Sequence, residues 1–191
     1  MQRLRLFWAV SLPAAIKEKL AAVQDFFREL PIEVKWVETE NFHITVRFLG
    51  ETSSTLVEPL VAAVAERVFK MPAFTLSLGG VGVFPSVRKP RVLWVGIGGF
   101  EPLVALNRAV EEAVRSLGFP PEEKPFSPHI TIGRFRSVSD AGALQRKIAA
   151  AARQEVGKVS VAGIGLLASR LTPAGPVYTS VREVSFGGDS G

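Results

Sequence analysis

Several strand patterns in this sequence follow one another directly, and this succession limits the architectures open to the chain. Three apolar alternations in the middle of the chain predict strands at 74–78, 81–84 and 92–97. Strands joined this closely pair antiparallel, because a parallel pair needs a crossover of about a dozen residues or more. We interpret Gly79-Gly80 as a hairpin turn between the first two strands. The pattern therefore favours an α+β fold over a doubly wound parallel sheet.

Helices and further strands flank this middle region. The first helix has one apolar stripe at helical spacing, made by Ile16, Leu20, Val23, Phe27 and Leu30. We predict that Ser11 caps it and that Pro13 lies in its first turn. Three more helices are predicted at 55–69, 101–117 and 141–156, the last capped by Ser139. The other predicted strands are 4–10, 34–37, 42–48, 129–135, 159–168 and 176–186.

Composition excludes several classes of protein. The absence of cysteine excludes disulfide scaffolds, thiol nucleophiles and iron–sulfur sites. No run reaches the ~18 apolar residues that a membrane span needs. Ser11 and Pro13 also interrupt the N-terminal apolar run, so we expect no signal segment, no membrane partner and a cytoplasmic location. We expect a monomer with one bilobal domain over residues 1–191, in which 187–191 form a frayed tail.

The two histidines of the chain, His43 and His129, lie in the same short pattern. Each is followed two residues later by a threonine, Thr45 or Thr131. Residues i and i+2 of a strand point to the same face, about 6.6 Å apart. Each strand therefore presents an imidazole and a hydroxyl together. The other face of the first strand is predicted to enter the core with Phe42, Ile44, Val46 and Phe48.

Two such strands facing one cleft would suit phosphodiester chemistry. Histidine titrates near pH 6.5, so one imidazole can act as a base while the other acts as an acid. Threonine hydroxyls can donate to non-bridging oxygens, where negative charge grows. A lone His-x-Thr is more often structural, but a matched pair that contains both histidines favours function. No carboxylate lies at ligand spacing from either histidine, so we expect no metal and no cofactor.

The sequence resembles a known family at five ordered segments. They are FxAxxLP at 7–13, WV with ENFHITVRFLG at 36–50, RVLWVG at 91–96, KPFSPHITIGR at 124–134, and SRL with GPVY at 169–178. Together they are similar to the 2′-5′ RNA ligases, also called RNA 2′,3′-cyclic phosphodiesterases, of the two-histidine (2H) phosphoesterase superfamily. The resemblance implies a two-lobed, pseudo-symmetric α+β fold, with antiparallel sheets lining a central cleft and helices outside.

The same resemblance implies an activity and a role for each residue. The activity is metal-free hydrolysis of an RNA-terminal 2′,3′-cyclic phosphate to a 2′-phosphate, with a reversible 2′-5′ joining of RNA ends. RNA with a cyclic phosphate end would be the partner, with tRNA halves as one candidate. His43 would protonate the departing 3′ oxygen, and His129 would position and deprotonate water. The phosphate would be held by Thr45, Thr131 and Arg134.

Arginines near the two histidine motifs are candidates for binding phosphate or RNA. Arg134 lies five residues after His129, so a regular strand would turn it away from the cleft, and a bulge at Gly133 could turn it back. Arg47 lies four residues after His43 and is predicted, from spacing alone, to face the cleft and contact RNA or phosphate. A basic loop, Arg88, Lys89 and Arg91, is a further candidate for RNA contact or else a solvated hairpin.

Two other functions are compatible with the same sequence patterns. One is a 2H phosphodiesterase of small cyclic nucleotides, which needs the same four cleft residues. The other is a binding module that holds an RNA end without turnover, which predicts a lost histidine or threonine. None of the four is missing from this sequence.

Overall fold

The computed structural model describes residues 2–188 as two antiparallel sheets with helices packed on their outer faces. The strands are β1 (Arg3–Ser11), β2 (Ile32–Trp36), β3 (His43–Ser53), β4 (Phe74–Phe84), β5 (Val92–Gly98), β6 (Ile130–Val138), β7 (Glu155–Val161), β8 (Gly163–Thr172) and β9 (Gly175–Ser185). The helices are α1 (Ala14–Arg28), α2 (Val57–Val68), α3 (Glu101–Ser116) and α4 (Ala141–Ala151). The α+β architecture with antiparallel sheets is confirmed.

Each sheet carries one histidine motif. The first sheet has the strand order β3-β1-β8-β9, and the second has the order β2-β6-β5-β4-β7. The helices cross between them: α1 follows β1 but packs on β6 and β7, and α3 follows β5 but packs on β3. Each sheet is therefore covered partly by a helix that follows a strand of the other sheet.

A continuous apolar core fills the space between sheets and helices. Four residues of the predicted α1 stripe, Ile16, Leu20, Val23 and Phe27, are buried, whereas Leu30 lies past the end of the helix and is only partly buried. On β1, Leu4, Leu6, Trp8 and Val10 pack into the core, as the alternation along this strand predicts. The opposite face of β1 is thereby left for the cleft.

Two predicted strand boundaries are wrong. Gly79-Gly80 is not a hairpin turn, because β4 runs unbroken from Phe74 to Phe84 and absorbs Gly80, at φ +68°, as a bulge. Residues 159–168 are not one strand either. The chain changes sheet at Ala162, so that β7 ends in the second sheet and β8 begins in the first. Apolar alternation continues through this change of sheet and cannot mark it.

The chain ends and helix caps also differ from prediction. Helix α4 stops at Ala151, and Asp140, not Ser139, caps it by accepting from the Ala143 N–H at 2.8 Å. Helix α1 has Pro13 at its N-cap and no side-chain cap from Ser11. In the predicted frayed tail, Gly187 and Gly188 donate backbone hydrogen bonds, while 189–191 lie outside the described residues. Within residues 2–188, no helix is both long and apolar enough to span a bilayer.

Candidate functional site

A cavity of about 780 Å³ lies between the two sheets and is lined by both histidine motifs. The structure places all five family-implied residues along it: His43, Thr45, His129, Thr131 and Arg134. The two motif strands come from different sheets, so their polar faces meet only because the sheets oppose each other across this space. The arrangement expected from the paired pattern is present.

His43 is held by hydrogen bonds at both ring nitrogens. Its Nδ1 donates to the Asn41 carbonyl oxygen at 2.7 Å, because a carbonyl oxygen can only accept. The Asn41 side chain donates to the Pro176 carbonyl oxygen at 2.8 Å, which anchors this turn to β9. The Nε2 of His43 lies 2.8 Å from the Thr45 hydroxyl oxygen. In the neutral imidazole, Nδ1 therefore carries the proton, and Nε2 accepts from Thr45.

His129 is held in the same way at one nitrogen only. Its Nδ1 donates to the Ser127 carbonyl oxygen at 2.8 Å. No hydrogen bond to its Nε2 is formed by any residue in the described range 2–188. An aromatic ring supports each imidazole at a centroid distance of 5.1 Å, Phe7 for His43 and Phe84 for His129. The Nε2 of His129 is therefore the nitrogen available to a ligand or a water molecule.

The environment shifts two pKa values beside the cavity. Burial lowers the pKa of His43, and the positive charges of Lys17 and His129 lower it further, against the raising effect of its bond to Asn41. Burial raises the pKa of Tyr178, against the lowering effects of Arg134 and Arg5. Tyr178 packs edge-on against His43, with ring centroids 5.2 Å apart. At neutral pH, Tyr178 is thus a neutral phenol beside a largely neutral His43.

Arg134 reaches the cleft through the bulge expected at Gly133. Thr131 pairs with Trp94 and Gly133 pairs with Leu93, so one extra residue of β6 lies between them. Gly133 consequently occupies the buried side and Arg134 the cleft side. A Cβ at position 133 would lie 2.6 Å from Val34 Cγ1, which explains why this buried position holds glycine.

Arg47 borders the cavity, as predicted, but its side chain is mostly buried and does not project into the cleft, because β3 carries the same kind of bulge. Thr45 pairs with Ala9 and Arg47 pairs with Trp8, so Val46 is the extra residue. The bulge turns Arg47 onto the face of the buried Trp8, where it is only 6% exposed. Phe48, predicted to enter the core, instead faces the cleft and is 41% exposed.

The Arg47 guanidinium forms four hydrogen bonds to protein acceptors at the margin of the cavity. It pairs with the carboxylates of Glu111 at 2.5 Å and Glu122 at 2.6 Å. It also donates to the carbonyl oxygens of Phe48 and Pro120. Arg47 therefore fastens β3 to α3 and to the loop before the second motif, and it is not placed to bind phosphate.

Several cavity residues were missed by sequence reasoning. They are Arg5, Phe7, Lys35, Lys124 and Tyr178. For Arg5 and Phe7 a signal existed, since the alternation along β1 puts both on the face opposite the core residues. Lys35 of β2 lies directly opposite Arg134 of β6. No sequence pattern predicts this pairing. The basic loop Arg88, Lys89 and Arg91 lies outside the lining of this cavity.

Acidic and imidazole groups do not gather at one point of the described chain. Among residues 2–188, no group of three or more His, Cys, Asp or Glu side chains is arranged to hold a metal ion. The cavity lining contains two imidazoles, hydroxyls, cations and three carboxylates, of which Glu111 and Glu122 are paired with Arg47. Such a set can hold an anion and exchange protons with it at two positions.

Comparison with known sequences identifies a family. The family model described as LigT like Phosphoesterase matches residues 10–94 and 98–178. A protein of Aeropyrum pernix named RNA 2′,3′-cyclic phosphodiesterase is 39% identical over 87% of this chain and 94% of its own. A Methanothermobacter thermautotrophicus protein of the same name is 32% identical over 94% of this chain and 97% of its own.

Solved structures agree with the sequence comparison. The crystal structure of TT0787 of Thermus thermophilus is 28% identical, with a TM-score of 0.83 over 97% of this chain and 100% of that chain. The structure of E. coli LigT complexed with 3′-AMP is 26% identical, with a TM-score of 0.77 over 97% of this chain and 99% of that chain. The likeness therefore extends over the whole two-sheet architecture and over both motif strands.

Proposed function

The chain belongs to the LigT-like phosphoesterase family, and on that basis we propose that it hydrolyses RNA 2′,3′-cyclic phosphate ends to 2′-phosphates. The observation that carries the proposal is the opposition of two His-x-Thr strands across one cavity, each with its histidine Nδ1 fixed by a carbonyl oxygen. The names of the relatives from Aeropyrum and Methanothermobacter support the same substrate class.

His129 is the general base in this proposal. Its Nδ1–H is committed to the Ser127 carbonyl, so the neutral ring presents an unprotonated Nε2 to the cavity. That nitrogen accepts a proton from a water molecule while the water oxygen forms a bond to phosphorus. The fixed ring removes the need to orient the base during the reaction.

His43 is the general acid. As the P–O3′ bond breaks, its Nε2 donates a proton to the departing 3′ oxygen, and the phosphate stays on the 2′ oxygen. The lowered pKa of His43 favours the neutral ring before substrate binds. The negative charge of the bound phosphodiester opposes that shift, because a nearby anion favours the imidazolium. Substrate binding therefore favours protonation of His43 by solvent. The Thr45 hydroxyl then turns so that it accepts a hydrogen bond from Nε2.

The remaining cleft residues bind the phosphate. Thr131 and Arg134 lie on the same side of β6 because of the bulge between them, and both can donate to non-bridging oxygens. Thr45 has a double role, since its hydroxyl also contacts His43. Replacing the attacking water by the 5′-hydroxyl of a second RNA would give a 2′-5′ linkage through the same two proton transfers.

The test is incubation of the protein with an RNA that ends in a 2′,3′-cyclic phosphate, in the presence of EDTA, followed by identification of the product isomer. We expect turnover and a 2′-phosphate. A 3′-phosphate would show that the 2′ oxygen leaves instead. Activity that is lost in EDTA and restored by zinc or manganese would overturn the metal-free mechanism, and no turnover with or without metal would overturn the function itself.

A further inference from the structure

Beside the phosphate site, an arginine lies against an exposed aromatic ring. The Arg5 guanidinium carbon is 5.0 Å from the centre of the Phe48 ring. Both residues line the cavity, and Phe48 is 41% exposed although it is a large apolar side chain. A ring and a cation side by side in a cavity wall are well suited to a flat, negatively charged ligand.

Arg5 is also available to an anion. Glu51 lies directly opposite Arg5 in the β1–β3 register, yet within residues 2–188 Arg5 forms no ion pair with it or with any other carboxylate. Arg47, by contrast, is buried and paired with two glutamates. Of the two arginines that line the cavity from this sheet, Arg5 on β1 is therefore the unpaired one within residues 2–188, and Arg47 on the motif strand is the paired one.

The position of Arg5 relates it to the reacting end of the substrate. Its charge acts on Tyr178, lowering the pKa of that hydroxyl against the effect of burial. The Tyr178 ring in turn packs against His43 at 5.2 Å. Phe7, two residues from Arg5 on the same face of β1, also packs against His43, with ring centroids 5.1 Å apart. Arg5 therefore lies in the same cleft, one side-chain position further along β1 from the general acid and outside the central phosphate position.

From this geometry we infer that Arg5 and Phe48 form a subsite for the nucleotide on the 5′ side of the cyclic end. The guanidinium binds the phosphate that links the last two nucleotides, and the penultimate base stacks on the Phe48 and Arg5 planes. Unpaired RNA bases stack in this way on aromatic rings and on arginine. The inference rests on the proposed function and makes the substrate class an oligonucleotide and not a cyclic mononucleotide.

The experiment compares kcat/KM for a dinucleotide with a 2′,3′-cyclic end and for a nucleoside 2′,3′-cyclic phosphate. The ratio of the two values measures the subsite. Because base stacking on an aromatic ring contributes roughly 1–3 kcal/mol, we expect Phe48→Ala to lower the ratio about tenfold. Arg5→Gln should lower it by about the same factor, given the usual strength of a charged hydrogen bond. It should also reduce the salt slope for the dinucleotide by about 0.7.

Matched controls separate local contact from general effects. Arg108→Gln removes an equal charge from the exposed face of α3, away from the cavity. Phe100→Ala removes an aromatic ring of the same 41% exposure outside the cavity. Both controls should keep the wild-type ratio. Equal losses on both substrates in the Arg5 and Phe48 variants, or no change in the ratio, would overturn the subsite.

A failure of the proposed hydrolysis can be distinguished from a failure of the proposed subsite. If the wild-type protein turned over neither substrate, the reaction would be rejected while the subsite was judged by binding. Affinities would then be measured for a dinucleotide and a mononucleotide, each with a 3′-phosphate. A preference for the dinucleotide that Arg5→Gln abolishes would support the subsite, and a preference that it leaves unchanged would overturn it.

Discussion

The two motif strands, β3 and β6, have the same backbone conformation around the histidine and threonine. They differ in the side chains that follow. In each, the histidine Nδ1–H is bound by the carbonyl two residues earlier. In each, a bulge follows the threonine and reverses the facing of the residues beyond it. The same His-x-Thr pattern thus has the same local geometry in two different sheets. The side chains after each pattern make the two sides of the cavity different.

The bulges are stabilised in parallel ways. The carbonyl of the extra residue Val46 accepts a hydrogen bond from Asn107 Nδ2 of α3 at 2.8 Å. The carbonyl of Ile132 accepts one from Gln24 Nε2 of α1, also at 2.8 Å. Each amide comes from a helix that crosses over from the other sheet. The crossing of the helices therefore supports both halves of the site as well as the core.

The difference begins just after each bulge. On β3 the buried position holds Arg47 and the cleft position holds Phe48, whereas on β6 these positions hold Gly133 and Arg134. One strand therefore offers a ring to the cleft, and the other offers a cation. The histidines differ as well, since Thr45 occupies Nε2 of His43 while Nε2 of His129 is open within the described residues. Acid and base need such unequal surroundings.

The largest effect should come from the histidines themselves. His43→Ala and His129→Ala should each lower kcat/KM by roughly 10²–10⁴-fold, the usual contribution of a general acid or base. Circular dichroism and thermal melting should show a folded protein in both cases, since the rings face the cavity. Retention of more than about a tenth of the wild-type rate by either variant would contradict its assigned role.

Replacing Arg47 should mainly reduce stability, whereas replacing Arg134 should mainly reduce activity. Arg47→Met should lower the free energy of unfolding by about 2–3 kcal/mol, because it strands Glu111 and Glu122, which are themselves only partly buried. Arg134→Met, at an exposed position, should leave stability nearly unchanged and raise KM. Urea titrations and steady-state kinetics on both variants test this, and equal stability losses would contradict it.

A smaller loss is expected when the bulge carbonyls lose their donors. Gln24→Leu and Asn107→Leu each leave a carbonyl without its side-chain partner, which should cost about 1–3 kcal/mol of unfolding free energy. Gln24→Leu removes two hydrogen bonds, because Gln24 also donates to the Val37 carbonyl, but the Ile132 carbonyl keeps its bond from the Val37 N–H at 3.1 Å. The two variants should therefore lose similar amounts of stability. Gln145→Leu on the exposed face of α4 is the control. If the control lost as much stability, the bulge contacts would not be the cause.

The smallest effect should appear in the pH dependence of stability. The pKa of His43 is lowered in the folded protein, so the unfolded chain binds a proton first as pH falls. Its contribution is therefore fully present above about pH 6.5 and is lost as pH falls through the lowered folded value. Unfolding free energies at pH 8 and pH 5.5 should differ more for the wild type than for His43→Gln. Parallel pH dependences would contradict the shift.

The sequence alone predicted the paired strands and five residues of the cavity lining. It did not predict which way the side chains of β3 point beyond the bulge at Val46. Alternation alone gave opposite errors at Arg47 and Phe48, because no glycine marks the extra residue Val46. At Arg134 the bulge was foreseen because Gly133 offered a reason for it. Tyr178 reaches the cavity through the pairing of β9 with β8, and a linear pattern does not contain that pairing. Arg5, by contrast, could have been found from the alternation along β1.

The most direct test of His43 as the acid and His129 as the base replaces the leaving 3′ oxygen of the substrate by sulfur. A dinucleotide whose cyclic phosphate carries sulfur at the 3′ position loses a thiolate, which needs little protonation because a thiol is a far stronger acid than an alcohol. The general acid then becomes dispensable, while water must still be deprotonated. On this substrate, we expect His43→Ala to recover to within about tenfold of the wild-type rate, and His129→Ala to remain about 10²-fold or more below it. Rescue of His129→Ala, or failure to rescue His43→Ala, would contradict the assignment of acid to the first strand and base to the second.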